Sequence, residues 1–279
     1  MTEHAASLAE AKAPEGERVT VTIDGGVADV VLQRPRKHNA LDRAMFDALS
    51  GAIDELREAP SARAVVLRGE GPSFCSGLDF PSFIASGSSP EELFARRDGE
   101  PANLAQRVTY GWRTLPSPVI CAIHGACFGG GLQIALGADL RIAAPDARLS
   151  AMEIEYGLIP DMGLSQTLPR LVRDDRAREL VYTGRIVDAA EAAELGLVTR
   201  LDADPAAAAR KLAERIAGRS PDAIRAAKRL ANEGFGAPAE RSLALEEELQ
   251  RSLLGSPNQI AAATAKLTGE PARFENPQA

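Results

Sequence analysis

The sequence predicts an α/β fold in which strand–loop–helix units come first and a helical region follows. Two patterns indicate this fold. In the first part, short apolar strands at 64–68 and 119–123 end in glycine-bearing loops and alternate with helical segments. From about residue 174 the pattern changes to amphipathic helices, interrupted by the strand-like stretch VTRL. The 279 residues are enough for one large domain or two small ones with a sizeable core.

Along the chain, the first elements are a tail, a hairpin and a helix. Residues 1–18 are charged and rich in alanine, which predicts a disordered tail. The segments VTVTI and ADVVL flank an Asp-Gly-Gly turn and predict a β-hairpin. A helix is predicted from about 42 to 58, where apolar residues fall on one face at helical spacing: Leu41, Met45, Leu49, Ile53 and Leu56. Residues 82–103 show no clear periodicity, and two interpretations stay open: a surface loop or a mobile lid over a site.

Composition excludes several classes of function. The net charge of −7 gives no counterion-release advantage on DNA or RNA, and 4% aromatic residues offer little for base stacking, so no nucleic-acid partner is expected. Three cysteines without a CxxC pair predict free thiols in a reducing cytoplasm rather than disulfides, and no metal site. Residues 115–138 carry no Asp, Glu, Lys or Arg, but their prolines and glycines indicate a buried core segment and no membrane association.

Two glycine-rich loops, GEGPSFCSGLDF and HGACFGGG, each follow a predicted strand. Glycine allows a ligand to approach the backbone closely, and a helix N-terminus presents unpaired N–H groups. Two such loops on neighbouring strands could direct two N–H donors at one oxygen, which describes an oxyanion hole. A pair of tight turns is the alternative. The P-loop, dinucleotide and Gly-x-Ser-x-Gly patterns are absent from both loops.

Carboxylates and one histidine are the other candidate reactive groups. Glu153, Glu155 and Asp161 lie in the apolar segment AMEIEYGLIPDMG, where desolvation would raise a carboxyl pKa and suit it to acid–base chemistry. Ordinary loop acids or helix caps are the alternative. A serine hydrolase would need His124 as its base, since it is the only histidine in a predicted core segment; Ser73 or Ser76 would be the nucleophile.

Taken together and in order, four motifs resemble the crotonase superfamily, also called the enoyl-CoA hydratase/isomerase family. They are RPRKHNAL (34–41), FCSGLD (74–79), HGACFGGGLQIALGADLRIA (124–143) and MEIEYGLIPDMG (152–163), and the likeness spans about residues 19–270. The resemblance implies a spiral of ββα units with a C-terminal helical region. It places a core with the acyl-CoA site at 19–195 and a helical oligomerisation region at 196–279. It also implies a homotrimer or a dimer of trimers.

The resemblance implies an acyl-CoA substrate whose thioester enolate is stabilised by the protein. No cofactor is expected, because coenzyme A is part of the substrate. By motif position, the oxyanion donors are the backbone N–H groups of Leu78 and Gly130. Five residues match positions that contact CoA in the family: Arg36, Lys37, His38, Ser76 and Phe80.

The acids of the sequence depart from the usual family pattern. Typical hydratases use two glutamates; Glu153 matches one of them, and the other position is Gln133, whose amide cannot exchange a proton near neutral pH. Asp161, eight residues after Glu153, resembles the second acid of the dienoyl-CoA isomerase branch. The acids therefore slightly favour double-bond isomerisation, with Glu153 and Asp161 as the acid–base pair and Gln133 orienting substrate or water. Three alternatives stay open: an enoyl-CoA hydratase, a non-catalytic CoA- or RNA-binding homologue, and a crotonase-fold serine peptidase.

Overall fold

A central sheet carries the candidate site, and most of its strands are parallel. The computed structural model describes residues 16–86 and 90–277, so residues 1–15 of the predicted tail lie outside the described residues. Within these ranges the strands are β1 (Val19–Asp24), β2 (Val27–Leu32), β3 (Ala64–Gly69), β4 (Val119–Ile123), β5 (Ala126–Phe128), β6 (Leu140–Ala143), β7 (Arg148–Ser150), β8 (Val187–Asp188) and β9 (Arg200–Leu201). The larger sheet has the order β1-β2-β3-β4-β6-β9, and a smaller one has the order β5-β7-β8.

The strand register brings the glycine loops together. Strands β1 and β2 form the predicted antiparallel hairpin, and β2, β3, β4, β6 and β9 are parallel neighbours. In the β3–β4 pair, Val65 lies opposite Val119 and Arg68 opposite Ala122. Because parallel strands end at the same edge of a sheet, the loops that follow β3 and β4 emerge side by side.

Helices cover the sheet and form the C-terminal region. In the described ranges they are α1 (Arg43–Arg57), α2 (Phe80–Ser86), α3 (Leu104–Thr114), α4 (Gly130–Gly137), α5 (Leu164–Thr167), α6 (Asp174–Thr183), α7 (Ala189–Leu195), α8 (Pro205–Ala217), α9 (Pro221–Glu233), α10 (Ala239–Leu253) and α11 (Pro257–Thr268). Short 3-10 helices span Pro35–Lys37, Pro90–Phe94, Met152–Tyr156 and Leu168–Arg170. The α/β class that the sequence predicts is confirmed.

Helix α1 shows how local sequence fixes an element. Asp42 precedes the helix, and its carboxylate accepts a hydrogen bond from the Met45 N–H at 2.9 Å, which satisfies one of the free donors of the first turn. The predicted helix at 42–58 is confirmed to within one residue at each end. Its predicted apolar face is buried, including Leu49, Ile53 and Leu56.

The inner strands of the sheet are buried on both faces, as expected for parallel strands. On one face, α8 contributes Ala209 and Ala213 to a cluster with Val66 and Ile120. The opposite face carries the larger core, formed with α1, α3 and α4. Alternate strand residues therefore serve different layers, which explains why the strands read as continuous apolar runs in the sequence.

The segment between the first glycine loop and α3 is attached to the core by ion pairs. Glu92 pairs with Arg43 of α1, and Arg97 pairs with Asp54 at 2.7 Å. Arg107 of α3, which is buried, pairs with both Asp54 and Glu100. Residues 92–100 are thus a surface segment held against α1 and α3. Residues 87–89, part of the 82–103 stretch interpreted as a surface loop or a lid, lie outside the described residues.

The C-terminal region is joined to the sheet through a strand and a buried lysine. Strand β9 lies after residue 195, yet it pairs with β6 in the main sheet. Lys228 of α9 is buried and forms an ion pair with Asp139 at 2.7 Å. Its ammonium also donates to the carbonyls of Trp112 and Ser117, at 3.0 Å each. Helix α9 therefore packs firmly against the connections that lead into β4 and β6.

Candidate active site

The two glycine-rich loops lie directly against each other. The Cys75 N–H donates to the Ala126 carbonyl at 3.0 Å, and the Phe128 N–H donates to the Cys75 carbonyl at 3.0 Å. These bonds form a short parallel bridge between Cys75 and Cys127. The loop after β3 is thus paired with β5, and β5 leads through Gly129 into α4. The sequence prediction that the two loops converge agrees with this geometry.

Two backbone N–H groups are free where the loops meet. The Leu41 N–H donates to the Gly77 carbonyl and the Asp79 N–H to the Leu41 carbonyl, so the bonds on either side of Leu78 leave its own N–H unused. Gly130 is the first residue of α4. Among the residues that the structure describes, neither the Leu78 N–H nor the Gly130 N–H has an acceptor. Both are available to a ligand oxygen.

Close backbone approach requires glycine at two positions in these loops. Gly77 has a φ of +92°, and a Cβ there would lie 2.8 Å from the Phe128 carbonyl oxygen and 3.7 Å from the Gly130 nitrogen. A Cβ on Gly130 would lie 2.8 Å from both Leu41 Cδ1 and Met162 Sδ. A valine at 130 would therefore disturb the buried packing as well as the site. The donors themselves are main-chain groups and do not depend on the side chain of Leu78.

Gln133 and Glu153 are brought together beside this backbone site. Gln133 lies on α4 and is fully buried, while Glu153 lies in the 3-10 helix Met152–Tyr156. Gln133 Nε2 donates to Glu153 Oε1 at 2.6 Å, and the Met162 N–H donates to Gln133 Oε1 at 2.8 Å. Glu153 Oε2 is buried and has no hydrogen-bond partner in the described part of the chain. Glu153 is thus tied through one oxygen, and its second oxygen is unengaged.

Two acids of the segment, Glu153 and Asp161, have raised pKa values. Burial raises the pKa of Glu153, opposed by hydrogen bonds from its own backbone amide and from Gln133, and the nearby charge of Asp161 raises it further. Partial burial of the carboxyl also raises the pKa of Asp161, although the residue as a whole is exposed. Glu153 therefore has the desolvated setting of a proton-transfer group, and Asp161 lies at its solvent side.

Three of the residues expected to contact CoA, Arg36, Lys37 and His38, form a cationic edge next to the first glycine loop, and the other two, Ser76 and Phe80, are half-buried. Arg36, Lys37 and His38 are exposed, and no described residue pairs with the two cationic side chains. The Ser76 N–H donates to the His38 carbonyl at 2.9 Å, which attaches this edge to the glycine loop. Phe80 packs on Tyr156 with ring centroids 4.9 Å apart. Ser76 is thus joined to His38, and Phe80 contacts the 3-10 helix that carries Glu153, while the CoA contacts of the five residues stay a prediction.

Asn39 is a residue whose importance the sequence reasoning missed. It is fully buried with a φ of +53°. Its Nδ2 donates to the carbonyls of Glu70, Ser73 and Phe74 within 3.1 Å, and its Oδ1 accepts from the Arg34 N–H at 2.8 Å. Asn39 therefore joins the cationic edge to the glycine loop. The available signal was an asparagine, which tolerates left-handed backbone, inside a turn-rich motif.

The serine hydrolase arrangement is not formed. His124 Nε2 is 2.8 Å from the Gly71 carbonyl oxygen. Ser73 is hydrogen-bonded to His38 rather than to His124, and Ser76 Oγ is 3.5 Å from the Lys37 carbonyl oxygen. Neither serine therefore has His124 as its base.

Comparison with known proteins assigns the family. The family model for enoyl-CoA hydratase/isomerase matches residues 22–263. The chain belongs to the enoyl-CoA hydratase/isomerase family. This membership confirms the resemblance drawn from the four motifs and identifies the chain as an enzyme of that family.

Relatives and solved structures of the family cover nearly the whole chain. A crotonyl-CoA hydratase from Syntrophomonas wolfei is 30% identical over 92% of this chain and 98% of its own length. The human mitochondrial methylglutaconyl-CoA hydratase is 30% identical over 90% of this chain and 74% of its own. The crystal structure of an enoyl-CoA hydratase from Bacillus anthracis has a TM-score of 0.85, 29% identity, and coverage of 93% of this chain and 100% of that one. The crotonase-like fold predicted from the sequence is thereby confirmed.

No helix in the described residues is both long and apolar enough to cross a membrane.

Proposed function

We propose that the protein binds an acyl-CoA thioester with its carbonyl oxygen between the N–H groups of Leu78 and Gly130. The support is the pair of adjacent backbone donors at the junction of two loops, neither of which has an acceptor among the described residues. Hydrogen bonds to this oxygen stabilise the enolate that forms when charge moves from the α carbon, at about 2.7–4 kcal/mol per donor in known cases. The coenzyme A portion extends along Arg36, Lys37, His38, Ser76 and Phe80. No cofactor beyond the CoA of the substrate is needed.

Within the family, we propose hydration of a 2-enoyl-CoA as the reaction. One observation carries the proposal: Glu153 Oε2 is buried and has no partner among the described residues, on a side chain whose Oε1 would lie 3.5 Å from a Cβ on Gly129, the residue before the Gly130 donor. Ionised Glu153 takes a proton from water, the hydroxyl adds to C3, and the resulting enolate receives a proton at C2 from the same carboxyl. Atoms balance, since one water adds across the double bond. The names of the relatives, most of them hydratases, favour this reaction over the isomerisation that the acids alone suggest.

Double-bond migration is the second candidate, and Asp161 is the observation in its favour. Its carboxyl is close enough to Glu153 to raise the pKa of that residue. In an isomerase, one acid removes a proton from the acyl chain and the other returns it at a more distant carbon, so two acids are needed. Asp161 would supply the second. Its exposed position makes it a weaker candidate than Glu153 for proton transfer.

A two-substrate assay separates the candidates. Crotonyl-CoA and a 3,5-dienoyl-CoA are incubated with the purified protein, and the products are identified by mass spectrometry and ultraviolet absorbance. Hydration adds 18 mass units to crotonyl-CoA, whereas isomerisation leaves the mass unchanged and shifts the absorbance of the dienoyl substrate. We expect the hydrated product. An isomerised dienoyl-CoA alone would establish the second candidate, and binding of both thioesters without turnover would identify a non-catalytic homologue.

We also propose that the chain assembles as a homotrimer or a dimer of trimers in the cytoplasm. Apolar side chains of the C-terminal helices are solvent-exposed in the single chain, among them Leu243, Leu254, Ile260 and Leu267. Exposed apolar area of this kind favours a covering partner. The three cysteines are buried free thiols, which suits a reducing compartment. Light scattering at micromolar concentration should give about three or six times the chain mass of 29.5 kDa, and a monomer would contradict the assembly.

A further inference from the structure

The side-chain amide of Gln133 has only one orientation that satisfies its surroundings. The Met162 backbone nitrogen, 2.8 Å away, is a donor and requires the amide oxygen to face it. The amide nitrogen must then face Glu153, 2.6 Å from Oε1. Gln133 is fully buried, so a flipped amide would place two donors against each other without water to relieve them.

This orientation determines where Glu153 can carry its proton. The Gln133 nitrogen is a donor without acceptor capacity, so Glu153 Oε1 must remain an acceptor in both protonation states. When Glu153 is protonated, the hydrogen therefore resides on Oε2. That atom is buried and free of protein partners in the described ranges. The two oxygens of one carboxyl thus have separate tasks: Oε1 is an anchor and Oε2 exchanges the proton.

We infer that Gln133 is a positioning residue, which fixes Oε2 of Glu153 as the proton-carrying oxygen and leaves Glu153 as the one acid of this pair. The inference rests on the proposed function, because it assigns Glu153 the proton transfer. It replaces the earlier expectation that Gln133 orients substrate or water directly. Met162 has a role too, since its backbone N–H sets the amide orientation from a distant part of the chain.

A glutamate in place of Gln133 would remove this division of tasks. Two carboxyls 2.6 Å apart cannot both be ionised and must share a proton, so the proton could reside on either residue. Asp161 is the acid whose charge already acts on Glu153. The other charged groups on neighbouring elements are Glu155 of the same 3-10 helix and, on α6, the ion pairs Arg178–Asp174 and Arg176–Glu179 together with Asp175, which pairs with Arg173. Helices α4 and α5 carry no charged side chain.

The test compares the pH dependence of kcat/KM for the wild type, Gln133→Glu and Gln133→Met with crotonyl-CoA as substrate. The acid limb is the part of the pH profile where kcat/KM falls as the pH decreases. In Gln133→Glu we expect the acid limb to move to higher pH by about one unit or more, because the paired carboxyls retain a proton. In Gln133→Met we expect kcat to fall at least about tenfold with little change in KM, because an unanchored Glu153 is misplaced. A merely structural role would lower thermal stability in both variants without moving the acid limb.

An unmoved acid limb in folded, active Gln133→Glu would overturn the inference. If that variant fails to fold, the wild-type protein carries the test. The side-chain amide signal of Gln133 in 15N–1H spectra should titrate with the midpoint of the acid limb, because its hydrogen bond ends on the titrating carboxyl. A signal that stays constant across that range overturns the inference. Glu153→Gln distinguishes failure of this inference from failure of the proposed function. Full activity in that variant would show that Glu153 does not transfer the proton, which contradicts the proposed function itself.

Discussion

The imidazole of His38 is hydrogen-bonded through Nδ1 to the buried hydroxyl of Ser73, with 2.9 Å between the two atoms. Ser73 Oγ accepts a hydrogen bond from the Ala126 N–H at 3.2 Å, so its own hydrogen is available to His38. An exposed side chain of the cationic edge is therefore held by the loop that carries Leu78. One of the proposed CoA contacts, His38, is thus hydrogen-bonded to the loop that carries the proposed oxyanion donor Leu78.

Removal of both cations from this edge should weaken binding of the thioester. For Arg36→Ala/Lys37→Ala we expect KM to rise with little change in kcat, because the CoA phosphates are remote from the reacting atoms. The effect should shrink at high salt. Steady-state kinetics at two ionic strengths measure it. Lys211→Ala/Arg215→Ala on α8 is the matched control: it removes the same charge from exposed positions. Equal KM values for both double variants would show that the edge is only a solvated loop.

Replacement of the central acid should abolish most turnover. Glu153→Gln preserves shape and removes proton exchange, so kcat should fall by about 10²–10⁴-fold with a modest change in KM. Glu155→Gln, two residues along on the exposed side of the same 3-10 helix, should retain nearly full activity. Both are assayed with crotonyl-CoA at neutral pH. Similar losses in the two variants would mean that the helix, and not the carboxyl of Glu153, is what the reaction needs.

Glu153→Gln should also increase thermal stability at neutral pH, because the raised pKa of Glu153 makes its ionised form unfavourable in the folded protein. Folding raises the pKa of Glu153 above its ordinary value of 4.5, so the folded protein binds this proton more tightly than the unfolded chain does. The resulting stabilisation is fully present below pH 4.5 and is lost as the pH rises through the folded-state pKa. Glu153→Gln should therefore raise Tm at pH 7 but not at pH 4. A thermal scan at both values decides, and a lower Tm at pH 7 would contradict the raised pKa.

Asp161→Asn distinguishes the two candidate reactions. A hydratase that works through Glu153 alone should lose less than about tenfold in kcat, whereas an isomerase that relays a proton between two acids should lose about 10²–10⁴-fold. Loss of the Asp161 charge should also lower the pKa of Glu153, since that charge raises it. The acid limb of kcat/KM should accordingly move to lower pH. An acid limb that moves upward would show that the two carboxyls do not repel each other.

Asn39 should be critical for stability because it joins the cationic edge to the glycine loop. Asn39→Ala leaves four backbone groups without this partner, in two buried and two partly buried hydrogen bonds, and also disfavours the left-handed backbone. We expect a loss of more than about 2 kcal/mol in the free energy of unfolding. Asn39→Gly tolerates the backbone conformation but lacks the amide, so it separates the two causes. If the glycine variant is as stable as the wild type in urea titrations, the hydrogen bonds contribute nothing.

The elements that local pattern determines were predictable. Helix α1 and the β1–β2 hairpin follow from spacing, a capping aspartate and turn glycines, all of which lie within about 20 residues. The glycine loops were predictable for the same reason, since a strand that ends in glycines is visible locally. Glu153 could be singled out because its neighbours in the sequence are apolar.

Contacts between distant segments were not predictable. The orientation of Gln133 depends on the backbone N–H of Met162, 29 residues away. No residue type signals a main-chain donor. Strand β9 is two residues long and gains its place only by pairing with β6. This strand lies outside the predicted core, which ends at residue 195. In the sequence, a two-residue strand is visible only as a short interruption between helices, because its partner β6 is far away along the chain.

The main-chain origin of the donors at Leu78 and Gly130 has a consequence for the history of such enzymes. At Leu78 a point mutation changes the side chain and leaves the amide in place, whereas at Gly130 an added side chain would clash with Leu41 and Met162, so selection retains the glycine and with it the donor. Positions 133, 153 and 161 carry ordinary side chains, and each can be exchanged by altering one codon. New reactions on this scaffold can therefore arise by exchanging acids, while the main-chain donors proposed to bind the carbonyl oxygen are inherited unchanged.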